Sequence, residues 1–96
     1  FAEALTIDPA LARAHNGLGV IAAERKDYTA ALDHWLRAVA LDPDDFRTLF
    51  NVGDLLIMLG RGAEARPYWE RYLAIAPRAL EASDRARVQR WLSNQP

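Results

Sequence analysis

Apolar residues recur along this chain at intervals of three and four, and the breaks between the apolar stretches are regular. Ala31, Leu32, Trp35, Ala38 and Val39 form one stripe, the spacing that gives a helix a single buried face. They predict a helix from about Thr29 to Leu41. Ahead of it Leu18, Val20, Ile21 and Ala22, with His15 partly included, predict another over roughly Ala12 to Arg25. Asp27 stands where a side-chain oxygen can accept from the free N–H groups that open the second helix. Pro43 ends that helix by forcing Asp42 out of helical geometry. Asp44 or Asp45 can cap a third helix, from about Asp45 to Leu59. Gly60 and Gly62 turn the chain into a fourth, Ala63 to Ala76. Pro67 falls inside it, and a start at Ala63 puts that proline near the first turn, where N–H groups are unpaired anyway. Leu80, Asp84, Val88, Trp91 and Leu92, with Arg85, Gln89 and Arg90 outside the stripe, predict a last helix from about Ser83 to Ser93. Asn94, Gln95 and Pro96 read as a fraying end.

The breaks are themselves periodic. Pro9, Pro43 and Pro77 are spaced 34 residues apart, each closing a similar stretch: LTIDP, VALDP, LAIAP. A fixed period of this length marks stacked repeats, each a helix pair that cannot bury its apolar face alone. Laid over one another, the units pair Leu18 with Val52, Gly19 with Gly53, Ala31 with Ala65, Trp35 with Trp69 and Ala38 with Tyr72. Carried backward, the register sets Phe1 under Trp35 and Ala4 under Ala38. The 96 residues thus divide into the end of one repeat (1–11), two full repeats (12–45 and 46–79) and a C-terminal cap (80–96), all in one domain. Small residues at Gly19, Gly53, Ala31 and Ala65 let helices approach closely within a unit. Trp35 and Trp69 are expected to fill the space toward the following unit.

Leu18–Gly19, Ala31, Trp35, Ala38 and Pro43 in one unit, and Val52–Gly53, Ala65, Trp69 and Pro77 in the next, resemble the tetratricopeptide repeat family. Gly60–Arg61 matches that family's helix-joining turn. His15, Ala22 and Tyr72 depart from its pattern: a large apolar residue, an aromatic and a small residue are usual there. The resemblance implies an all-α fold, a right-handed superhelical array of antiparallel helix pairs. It also implies a concave groove lined by the first helix of each pair. The groove residues would be Arg13, Asn16, Val20 and Ala23, then Arg47, Phe50, Asn51, Asp54, Ile57 and Met58. Some family members clamp a C-terminal carboxylate with Lys, Arg and Asn. The corresponding places here hold Asn16, Val20, Phe50, Asp54, Asp84 and Val88, an acidic and apolar set unsuited to that ligand.

Charge and composition narrow the function further. A net charge of −1 lacks the basic excess of a nucleic-acid binder. There are 8 basic and 11 acidic residues through Pro77, then 4 basic and 2 acidic from Arg78 onward. Arg78, Arg85, Arg87 and Arg90 therefore give the last helix a basic edge. The chain has no cysteine, so disulfides and thiolate metal sites are excluded, and no stretch is long and apolar enough to insert in a membrane. His15 is expected half-buried between helices and His34 on the outer face beside Trp35; neither has ligand-spaced company, and no metal site is expected. Asp42, Asp44 and Asp45 read as cap and turn residues. No phosphate loop, nucleophile motif or catalytic carboxylate pair occurs, so no catalysis and no cofactor are expected.

The expectation is a protein-interaction module of bacterial, cytoplasmic character that holds an extended or helical segment of a protein partner. Phe50 and Ile57 would anchor it, Asn16 and Asn51 pair with its backbone, and Arg13, Arg47 and Asp54 set register. Two alternatives stand beside it: an accessory region of a larger enzyme, and self-association through apolar Phe1, Leu5 and Ile7.

Overall fold

Capping chemistry sets where the helices of this protein begin and end. The computed structural model describes residues 9–78 and 82–95, arranged as α1 (Pro9–Glu24), α2 (Tyr28–Leu41), α3 (Phe46–Met58), α4 (Gly62–Ile75) and α5 (Ala82–Ser93). There is no strand among the described residues. Phe1, Leu5, Ile7 and Leu80 lie outside them. Pro9 opens α1 three residues earlier than expected, at a first helical position for which its fixed φ is preorganised. Asp27 caps α2, accepting from the Ala30 N–H at 3.3 Å. Of the two candidates for α3, Asp45 is the cap, accepting from the Arg47 N–H at 3.2 Å and from the Thr48 hydroxyl at 3.1 Å. Asp42 terminates α2 in a non-helical conformation ahead of Pro43.

The turns inside the two helix pairs share one hydrogen-bond scheme. After α1, Lys26 N–H donates to Ala23 O at 2.9 Å and Asp27 N–H to Ala22 O at 2.8 Å. After α3, Gly60 N–H donates to Ile57 O at 3.0 Å and Arg61 N–H to Leu56 O at 2.7 Å. Both are Schellman closures, which need a left-handed residue just past the helix. That residue is Lys26 (φ 64°) in the first turn and Gly60 (φ 77°) in the second. Pro67 is the sixth residue of α4, beyond the first turn, so its ring costs the regular bond that would reach Ala63 O. The helix continues through it to Ile75.

Packing is antiparallel within α1–α2 and α3–α4, and the pairs stack through α2 against α3, with α5 closing on α4. One part of the core joins Ala31, Leu32 and Trp35 to Val52, Leu55, Leu56 and Ala65; another joins Leu49, Trp69, Tyr72 and Ala76 to Val88. The two tryptophans seat differently from expectation. Each indole lies over the glycine of its own helix pair, Trp35 over Gly19 and Trp69 over Gly53, where a single added methyl would overlap the ring. Each indole N–H also donates to the backbone of that pair, Trp35 to Asn16 O at 3.1 Å and Trp69 to Phe50 O at 3.0 Å. A buried indole needs such an acceptor, and the helix carbonyl at the glycine notch supplies it. The glycines therefore make room for a ring rather than for a backbone. The far edges do reach onward: Trp35 joins the α3 residues of the first cluster, and Trp69 meets Trp91 of α5 edge-on at 5.4 Å.

The C-terminal helix covers the second cluster with Val88, Trp91 and Leu92, as a cap requires. Arg85, expected on the outside, is buried and donates to Leu73 O at 2.8 Å and Ala76 O at 3.0 Å. These carbonyls end α4 and have no partner within it, so the guanidinium satisfies them and complements the negative end of the dipole. Asn94 and Gln95 are tied back by N–H bonds to Trp91 O (3.1 Å) and Leu92 O (3.3 Å) rather than fraying.

Candidate protein-binding groove

Between α1, α2 and α3 lies a cavity of about 130 Å³, lined by Ala23, Tyr28, Trp35, Asn51, Asp54, Leu55 and Met58. Helix spacing explains the lining: Asn51, Asp54, Leu55 and Met58 fall at intervals of three and four on one face of α3. Ala23, Asn51, Asp54 and Met58 are among the groove residues that the family resemblance implies. Tyr28, Trp35 and Leu55 are not among them; Trp35 was expected to fill the space toward the following unit. The glycine notch at Gly19 draws Trp35 in far enough to leave its edge at the cavity. A larger hollow of about 210 Å³ lies elsewhere, between Gly62, Ala63, Arg66, Trp91 and Gln95. It has one aromatic wall and none of the expected groove residues.

A polar and aromatic cluster borders the first cavity. Phe50 stacks on Trp69 with centroids 5.7 Å apart and planes 12° from parallel, and touches Tyr72 at 5.3 Å. Arg87 of α5 lies over both the Phe50 and Trp69 rings, 5.6 and 5.8 Å from their centroids. Its guanidinium also binds the Asp54 carboxylate, tying α5 to α3. Asp54 is therefore not an unpaired negative charge facing the groove, and Arg87, though its side chain is half exposed, is tied into this cluster. Signals for this were available: Arg87 and Asp54 carry opposite charge on helices that the repeat register stacks together.

The remaining expected residues are placed as follows. Asn16 is half-buried; its carbonyl accepts from Trp35 and its side-chain oxygen from the Thr48 hydroxyl at 3.3 Å, linking α1 to α3. Ile57 is half-buried and packs against both core clusters. Val20 and Arg13 are exposed on α1, and Arg47 is exposed with its guanidinium 5.6 Å from the Phe46 ring. Asn51, Asp54 and Phe50 thus come together, while nothing joins Arg13, Val20 and Arg47 to the cavity. Val88, placed among the clamp positions by register, is wholly buried in the core. His34 does not lie on an outer face: its Nδ1 is 3.3 Å from His15 Nδ1 across α1 and α2. No group of three or more potential metal ligands occurs among the described residues, and none of the described helices is long and apolar enough to cross a membrane.

Stacked antiparallel helix pairs, repeating every 34 residues and closed by a terminal helix, define an all-α helical-repeat protein. Residues 12–45, about a third of the chain, match the family model of the tetratricopeptide repeat, in keeping with the stacked helix pairs. Among curated proteins it is similar to the photosystem I assembly protein Ycf3 of Acaryochloris marina, with 29% identity over 89 aligned residues. The alignment takes in 78% of this chain and 51% of the relative, so the chain spans about half that protein's length.

Proposed function

We propose that this chain is a non-catalytic, cytoplasmic protein-binding module, folded as one domain with repeats at 12–45 and 46–79 and a cap from residue 80, that holds a peptide or helical segment of a partner protein along α1 and α3. The observation that carries the reading is the cavity between Tyr28, Trp35, Leu55 and Met58, apolar on its floor and edged by Asn51 and Asp54. A single aliphatic side chain fits a hollow of about 130 Å³, and a carboxamide beside it can pair with the backbone that carries that side chain. Met58 extends the apolar surface along α3, and Val20, Arg13 and Arg47, exposed on α1 and α3 away from the cavity, would meet the partner further along those helices. Ile57 packs behind Trp35 and Leu55, Phe50 lies under the Arg87 that pairs with Asp54, and Asn16 links α1 to α3. The name of the similar Acaryochloris marina protein, an assembly protein, supports a role in bringing protein subunits together.

Peptides selected from a displayed random library against the folded chain provide the test. The double variant Asn51→Ala, Met58→Glu changes the cavity without altering the Phe50–Trp69 stack. It should bind the selected peptides at least about tenfold more weakly, with unchanged helical circular dichroism. Selected peptides that bind the variant as tightly as the parent would place the binding surface elsewhere.

A further inference from the structure

We propose that His15 and His34 form a two-imidazole site for a late first-row divalent cation. The two residues lie 19 apart in sequence, on helices that run antiparallel, and that interval brings their Nδ1 atoms to 3.3 Å. It is the same interval that brings Trp35 to Asn16 and Trp69 to Phe50, so it is a fixed register of the helix pair. Two metal–nitrogen bonds of about 2.0–2.1 Å place their nitrogens about 3.3 Å apart at a tetrahedral angle and about 2.9 Å apart at the right angle of tetragonal copper(II), so the observed separation is within a small ring rotation of both. The backbone therefore already holds the donors at chelating distance. The rings are tilted by 31° with centroids 5.6 Å apart, and at 3.3 Å one Nδ1–H is shared with the other Nδ1 when either ring is in its Nδ1–H tautomer. Moving that proton to Nε2 of its own ring frees both Nδ1 lone pairs, and rotation about the two Cβ–Cγ bonds turns them onto one ion.

Packing does not demand imidazoles here. The corresponding places in the second helix pair hold Leu49 and Tyr68, an ordinary apolar and aromatic pair. Both histidines are half-buried, so water can complete the coordination that the protein leaves open. Imidazole donors favour copper, nickel and zinc over magnesium and calcium, with copper(II) the tightest.

Copper(II) alone, added to the folded chain labelled with ¹⁵N-histidine, is the probe. Electron paramagnetic resonance should show two nitrogen donors per bound ion, with couplings changed by the label. His15→Leu and His34→Tyr, each borrowing the residue of the second helix pair, should weaken binding by at least about tenfold while magnesium(II) shows no binding to any form. A spectrum with fewer than two imidazole nitrogens, or copper affinity unaltered in both variants, would overturn the site. The spectrum of the parent protein decides the question even where a variant folds poorly.

Discussion

The two helix pairs share a backbone plan but differ in what covers them. Val52 and Leu55 on α3 are 0% and 3% exposed, whereas their counterparts on α1, Leu18 and Ile21, are 47% and 46% exposed. All four residues are apolar and sit at matching helix positions. The difference is the neighbour: α2 packs on that face of α3, and no described element packs on the same face of α1. In a stacked array, burial belongs to the interface between units rather than to the unit. The same contrast separates the tryptophans. Trp69 is 1% exposed, held between Phe50, Trp91 and Arg87, while Trp35 is 7% exposed at the edge of the groove cavity.

Truncating the tryptophans tests that contrast with the largest expected effect. Trp69→Ala should lower the unfolding free energy by about 3–5 kcal/mol, the range for deleting a large buried aromatic, and Trp35→Ala by less. Urea denaturation of both variants checks the order. Equal losses would mean that the aromatic cluster around Trp69 adds nothing beyond the glycine notch the two pairs share.

The notch itself comes next. Gly53→Ala and Gly19→Ala each place a methyl against an indole, and overpacking of this kind costs about 1–3 kcal/mol. Gly53→Ala should be the worse of the two, since Trp69 is enclosed by α5 and Trp35 can give way toward the groove. A Gly19→Ala variant that melts as low as Gly53→Ala would show that the first pair is as tightly confined as the second.

The smallest effect sharpens the comparison at the turns. Lys26 holds the left-handed conformation that Gly60 holds in the second pair, and a side chain there is strained. Lys26→Gly should therefore stabilise the protein by about 0.5–1 kcal/mol, read as a higher urea midpoint with unchanged slope. A lower midpoint would show that the Lys26 side chain contributes more than the strain it carries.

Much of this architecture was legible in residue order. Apolar spacing located five helices, the proline interval set the repeat, and Asp27, Asp42 and Pro43 marked ends that the structure places within a residue or two. These features are local, fixed by backbone sterics and by hydrogen bonds spanning a few residues. What depended on contacts across helices was not legible in the same way. Arg85 was read as a surface charge because nothing nearby in sequence shows that the carbonyls of Leu73 and Ala76 need a donor. His34 was read as outward because a stripe on one helix cannot reveal what a second helix sets opposite it. Asp54 and Arg87, 33 residues apart, pair only because α5, closing on α4, brings Arg87 within reach of α3.

The sequence by itself determined the repeat, its helices and most of their caps, because each rests on periodicity and short-range geometry. Tertiary structure alone decided which equivalent residues are covered, where the indoles rest and which charges are neutralised. Those outcomes depend on the distance between side chains from different helices, and stacking sets that distance.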